Sequence, residues 1–207
     1  MVSYLHELLL LLFRNRSEVA AELLRELAVE IPEYDEVLTE SSDLSDLRPA
    51  EYRADLVLFL MRESRKALGV ILEVQLRRDE NKSYSWPAYI ANLRARHRCP
   101  VCLLVITMEN SVARWADKPI ELGPGTCCTP LVLGPSNTPV VMGLDEANRN
   151  VELAVLSAVE HENDTDAQLA THIESVALVA IAGVDAERLE MYSDLIFEVL
   201  GSAMRKS

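Results

Sequence analysis

Three residues on two apolar segments carry the most chemistry in this sequence: Asp55, Glu73 and Gln75. Asp55 opens the run Leu56–Leu60, while Glu73 and Gln75 lie inside Gly69-Val70-Ile71-Leu72-Glu73-Val74-Gln75-Leu76. Alternate residues of a strand point to one face, so Glu73 and Gln75 are neighbours about 6.5 Å apart on the same side. The other residues from Val70 to Leu76 are all apolar, the pattern of a central strand covered on both faces. A carboxylate in such a strand is costly unless a cation or hydrogen-bond donors meet it. A second strand returning beside the first brings Glu73 next to Asp55. Two carboxylates and an amide then occupy adjacent strand positions, an oxygen-rich set of the kind that Mg2+ or Mn2+ takes. An ion pair of Glu73 with Arg53 or Arg94 would satisfy the same charge without any function.

The elements that must position these residues follow from periodicity. Two amphipathic helices are expected near 3–14 and 17–30, the second closed by Pro32, and then a strand over Tyr34–Leu44. Leu56–Leu60 and Leu68–Leu76 read as strands joined by the polar turn Arg62–Lys66. A helix near 84–98 follows, capped by Ser83 or Ser85 with Pro87 in its first turn, then a strand at Val101–Thr107 and a short helix at Ser111–Ala116. Leu131–Leu133 is a further short strand, and helices are expected near 147–160, 166–182 and 185–201. A helix leading from one strand to a later one implies a parallel pair. The expected fold is therefore α/β: a mixed central sheet flanked by helices, with a helical C-terminal part. The acidic turn His161–Asp166 suggests a core over 1–160 and a helical extension over 161–207 packed on it.

The chain has 207 residues and a net charge of −13, which discourages polyanion binding on most of its surface. Yet residues 62–98 hold nine of the 20 basic side chains and only four acids. Arg77, Arg78 and Lys82 lie at the exit of the Glu73 strand, and Arg94 and Arg98 share a face of the following helix, with Arg96 well away from it. Trp86 and Tyr89 are either core packing or platforms for nucleic-acid bases. No apolar run approaches the roughly 20 residues of a membrane span. Four cysteines in a chain of this length, without a basic, apolar leader, point to a reducing cytoplasm. Cys99-Pro-Val-Cys102 and Cys127-Cys128 lack zinc-ribbon spacing, and the four histidines share no ligand spacing.

Asp55, a gap of 17 residues, Glu73-Val74-Gln75 and a basic helix together resemble the PD-(D/E)XK nuclease superfamily. The likeness is to its recombination-promoting nuclease, transposase-like branch. It takes in His6-Glu7 with the leucine-rich stretch to Phe13, Glu18–Leu24, Arg53-Ala54-Asp55-Leu56, Glu73-Val74-Gln75, Tyr89–Arg96 and Tyr192-Ser193-Asp194-Leu195-Ile196. The resemblance implies a restriction-endonuclease-like core and a metal-dependent endonuclease acting on DNA with Mg2+ or Mn2+. Asp55 and Glu73 would hold the metal, the Val74 carbonyl would complete the site, and Glu7 would be an additional acid. Gln75 would stand where the family's lysine orients the attacking water. An amide there orients water but brings no positive charge. The alternative is a catalytically degenerate nuclease fold kept as a nucleic-acid or protein-binding module. Its C-terminal helices, with Val176, Val179, Ala180 and Val184, would then meet a partner protein or a second copy in a homodimer.

Overall fold

Leu56–Arg62 (β1) and Arg65–Val74 (β2) form an antiparallel hairpin, because two apolar runs rich in Leu, Val and Ile flank a two-residue turn. Glu63 and Ser64, both with positive φ (48° and 62°), make that turn. Two left-handed residues match the right-handed twist of the flanking strands, although Asn and Gly adopt them more readily. The computed structural model describes residues 16–17, 19–38, 53–161 and 166–204, without the side chains of 199–204. All of the expected helix at 3–14, and Glu7 with it, lies outside the described residues.

The chain divides into two units. The described part of the first contains α1 (Val19–Glu26) and a small antiparallel hairpin of β4 (Ile120–Gly123) and β5 (Thr126–Cys128), turned by Gly125 at φ 73°. The expected strand over 34–44 is not formed in its described part, 34–38, which is irregular. Pro32 and the run Glu33-Tyr34-Asp35-Glu36 offer a sheet too few apolar alternations to pair.

The second unit holds the sheet and the remaining helices. Its strand order is β1-β2-β3-β6, with β3 at Val101–Ile106 and β6 at Leu131–Leu133. β2, β3 and β6 run parallel, as the intervening helix α2 (Lys82–His97) requires. α3 (Asn110–Ala116) follows β3. α4 (Leu144–Arg149), α5 (Val151–His161), α6 (Ala167–Ile181) and α7 (Ala186–Met204) complete the unit. The helix expected at 147–160 is two helices, broken at Asn150, whose side chain accepts the Leu153 amide. Asp166 caps α6 by accepting the Gln168 and Leu169 amides.

The helical layer has its own core, in which Ala154, Ala158, Ile173, Val176, Ala177, Ala180 and Ile196 are buried together. Val176 and Ala180, expected on a partner-facing stripe, are thus spent inside the chain, while Val179 stays exposed. The i, i+4 spacing that suggested an outward stripe serves the packing of α6 on its neighbours instead. The sheet likewise departs from expectation. β2 is closed on the face of Gly69, Ile71, Glu73 and Gln75, but Val70 and Leu72 on the other face are half-buried and Val74 is exposed. α2 closes the first face. A Cβ at Gly69 would come within 3.2 Å of both Leu93 and Val101, so the glycine lets helix and strand approach. α2 begins at Lys82, two residues earlier than expected, and its N-cap Asn81 makes no side-chain capping bond. Ser83 is already helical, its hydroxyl donating to the Glu80 carbonyl, and Pro87 falls in the second turn.

Candidate active site

Register places the two acids opposite one another. Leu56 pairs with Leu72, so the next step of the antiparallel ladder sets Asp55 against Glu73 on the face covered by α2. Their backbones interlock. The Asp55 amide donates to Glu73 Oε1 at 3.3 Å, and the Val74 amide donates to Asp55 Oδ2 at 2.8 Å. Asp55 thereby satisfies a strand-end amide that β1 no longer reaches. Its own side of the site is open to solvent, whereas Glu73 is 0% exposed.

The charge of Glu73 is met from α2. Asp79 Oδ1 accepts both the backbone amide and the side-chain amide of Asn81, shaping the turn that enters the helix. Lys82, the first helical residue, then places Nζ 2.5 Å from Glu73 Oε2. One helical turn later Trp86, fully buried, donates its indole N–H to the same oxygen at 3.1 Å. Burial alone would lower the Lys82 pKa. The Glu73 hydrogen bond and charge, with Tyr89 and Asp55, outweigh it and hold the ammonium above its ordinary 10.5. Trp115 of α3 packs on Trp86 with ring centroids 5.6 Å apart, which fixes the indole beneath the carboxylate.

Gln75 continues the parallel ladder through its amide to the Ile106 carbonyl at 2.8 Å. Its side chain is buried, and among the described residues no donor meets its Oε1. An unpartnered amide oxygen at this depth is costly unless a water or ligand fills its acceptor sites. The sheet end therefore presents Asp55, Glu73 and Gln75 on one face, as their spacing requires, with one acceptor left vacant.

Among the described residues no group of three or more His, Cys, Asp or Glu could hold a metal ion. The donors themselves suit a hard cation. Glu73 Oε2 is occupied by Lys82 and Trp86, but Oε1 takes only the long bond from Asp55, and no donor among the described residues meets Asp55 Oδ1. Mg2+ is held by as few as one or two carboxylates and keeps its waters, so these carboxylate oxygens suit it.

The residues expected to bind nucleic acid separate. Lys82 is committed to Glu73, and Arg78 donates to the Ser111 carbonyl at the start of α3. Arg77 is exposed near the acids, while Arg94 and Arg98 are exposed at the opposite end of α2. Tyr89 is half-buried. Lys82 and Trp86 as partners of Glu73 escaped the sequence reading. Their i, i+4 spacing at the start of a helix just after the acid was the available signal.

The molecule thus defines a mixed α/β class, with a carboxylate pair at the end of an antiparallel hairpin and a helix delivering a cation to it. No family model matches the chain, and no curated protein or solved structure is significantly similar to it.

Proposed function

We propose that the chain is a metal-dependent nuclease of the PD-(D/E)XK kind, cleaving phosphodiester bonds of DNA in the cytoplasm. The observation that carries this reading is the cross-strand clamp of Asp55 and Glu73 with Lys82 held on the buried acid. In this reading Asp55, Glu73 and the Val74 carbonyl hold Mg2+ or Mn2+, which when bound supplies Lewis acidity toward the phosphodiester. The vacant Oε1 of Gln75 accepts a hydrogen bond from the attacking water and orients it. Lys82 brings the positive charge that Gln75 lacks, through an ammonium that stays protonated beside Glu73. Trp86 fixes the carboxylate plane and excludes water from behind it. The four free cysteines accord with a reducing compartment, and among the described residues no helix is long and apolar enough to cross a membrane.

Supercoiled, linear and single-stranded DNA are the substrates for the test, each with Mg2+ or Mn2+. The wild type should cleave, Asp55→Ala should not, and Gln75→Ala should lose about 10²-fold in turnover, the scale of one positioned hydrogen-bond partner. Cleavage surviving in Asp55→Ala would sink the reading. One observation favours a second reading: Lys82 already neutralises Glu73 and saturates one of its oxygens. In that reading the fold is a catalytically silent nucleic-acid or protein-binding module, able to pair with a partner or a second copy through its C-terminal helices. Wild-type protein that binds no Mn2+ by calorimetry and cleaves nothing would establish it over the first.

A further inference from the structure

The end of the hairpin remote from Asp55 and Glu73 collects basic side chains that the sequence distributes between two elements. Arg62 and Arg65 flank the turn and are register partners, an arrangement in which like charges face each other across the strands. The ladder shifts between Leu60 and Met61, which pair with Leu68 and Lys66, leaving Ala67 as an extra residue. Such a bulge re-aims the side chain beside it. Lys66 consequently lies on the α2 side, with Nζ 2.6 Å from Nδ1 of His97 and 4.0 Å from the Phe59 ring centre. Phe59 in turn packs edge-on against His97, with ring centroids 4.7 Å apart. Arg94, Arg96 and Arg98 extend from the same helix end into solvent.

The crowding acts on His97. Burial, then Lys66, then Arg96 push the His97 pKa below its ordinary 6.5. Among the described residues, none of Arg62, Arg65, Arg94, Arg96 or Arg98 enters an ion pair. The chain carries 33 acids against 20 bases, yet Glu63 at the exposed tip is the only acid in the stretch 62–66. A helix C-terminus favours cations, which accounts for Arg94 and Arg96 but not for the three bases of the hairpin. An anion with several phosphates, spanning the hairpin tip, would oppose the Arg62–Arg65 repulsion and meet the arginines at the end of α2 that have no ion pair among the described residues. Arginine dominates the cluster, and its planar fork suits phosphate oxygens in pairs.

We propose that the hairpin tip and the end of α2 form a surface for a nucleic-acid backbone, separate from the carboxylate pair at the other end of the same strand. The choice of nucleic acid as the polyanion rests on the nuclease reading; the surface itself does not. Six residues of β2 lie between Lys66 and Glu73, and with the bulge at Ala67 taking up one step the span is about 20 Å at strand rise. A duplex lying along the strand and held at the tip would present the bond about six base pairs away to the acids. The tip then serves as an anchor and the acids as the place of reaction.

The test measures binding of the full chain to a fluorescent 20-base-pair duplex and to the corresponding single strand by anisotropy, across a salt series. Arg62→Gln, Arg65→Gln, Arg94→Gln and Arg98→Gln are combined in one variant, and the matching four Arg→Lys changes in a second. Arg149→Gln, at the exposed end of α4 in the helical layer, is the control. The glutamine variant should lose at least 10-fold in affinity, and its slope of log K on log salt should flatten by up to about 3.6 on the duplex, at about 0.9 per contact. The lysine variant should keep the slope, and Arg149→Gln should leave it unchanged. An unchanged slope in the glutamine variant overturns the proposal. So does a wild type that binds phosphatidylserine vesicles but no nucleic acid, or that binds neither. Asp55→Ala separates the two readings. If it binds like the wild type and neither form cleaves, the nuclease reading fails while the anchor stands. If cleavage depends on Asp55 but binding is indifferent to the four arginines, the anchor fails alone.

Discussion

Two glutamates of the second unit are equally removed from water and are treated in opposite ways. Glu73, 0% exposed, has its carboxylate met by the Asp55 amide, the Lys82 ammonium and the Trp86 indole. Glu160 of α5, 3% exposed, has no partner for either oxygen among the described residues. Burial pushes the Glu160 carboxyl up to about 7, with no nearby charge to offset it. The difference is one of architecture. A strand end leaves amides unpaired and faces the N-terminus of a helix, so donors are at hand. Glu160 lies in the last turn of α5 (Val151–His161), where the unpaired backbone groups are carbonyls, which cannot donate to a carboxylate. A buried acid therefore finds donors at the sheet and becomes a proton acceptor in the helical layer.

Removing the sheet's compensation should erase that contrast, with the largest effect. Lys82→Ala leaves Glu73 buried without its cation, and breaking such a pair costs about 2–4 kcal/mol when one partner retains some access to solvent. That corresponds to a fall of about 5–15 °C in Tm for a chain of this size. Urea titration with an unchanged m value would show the loss to be one of stability, not compactness. The double variant Lys82→Met with Glu73→Leu removes both charges and should recover most of the deficit. The Lys82 pKa lies above its unfolded value, so the pair's stability is fully present below pH 10.5 and is lost as pH rises through the folded value. A single Lys82→Ala variant as stable as the wild type would show that Glu73 finds its partners elsewhere.

Glu160 supplies the complementary test. Its folded pKa exceeds the ordinary 4.5, so its contribution is fully present below pH 4.5 and is lost as pH rises through about 7. Glu160→Met keeps the volume and deletes the titration. Allowing for partial screening, the variant should gain about 1–2 kcal/mol over the wild type at pH 8, with the difference vanishing near pH 4.5. Thermal melts of both forms at half-unit pH steps would reveal it. A difference that stays constant across the range would mean that Glu160 keeps the same protonation state throughout.

Much of the frame was legible from residues alone, and the reasons are specific. Leu56–Leu60, Leu68–Leu76 and Val101–Thr107 are apolar runs too short for buried helices, and the intervening helical stretch forced a parallel pair. The same alternation put Asp55, Glu73 and Gln75 on one face. What escaped depends on contacts distant in sequence or on small backbone events. Lys82 looked like a surface base because only the Asp79 turn aims it inward. The bulge at Ala67 has no sequence signature, yet it decides that Lys66 faces His97. Glu160 sits in a helix whose pattern gives no sign that a charge lies on the buried side.

The smallest effect concerns Trp86 and asks whether the indole N–H or the indole bulk holds Glu73. Trp86→Phe keeps an aromatic ring against Trp115 but deletes the donor to Glu73 Oε2. A hydrogen bond to a charged group in a buried place contributes about 1.5–3 kcal/mol net, and Lys82 on the same oxygen takes up part of the loss. A destabilisation of about 1 kcal/mol is therefore expected, or about 2–4 °C in Tm. The discriminating measurement is a double-mutant cycle with Lys82→Ala. If both donors hold one oxygen, removing the second should cost more once the first is gone, with a coupling of about 0.5–2 kcal/mol. Additive losses would mean that the indole merely fills space, and that the sheet differs from the helical layer by its lysine alone.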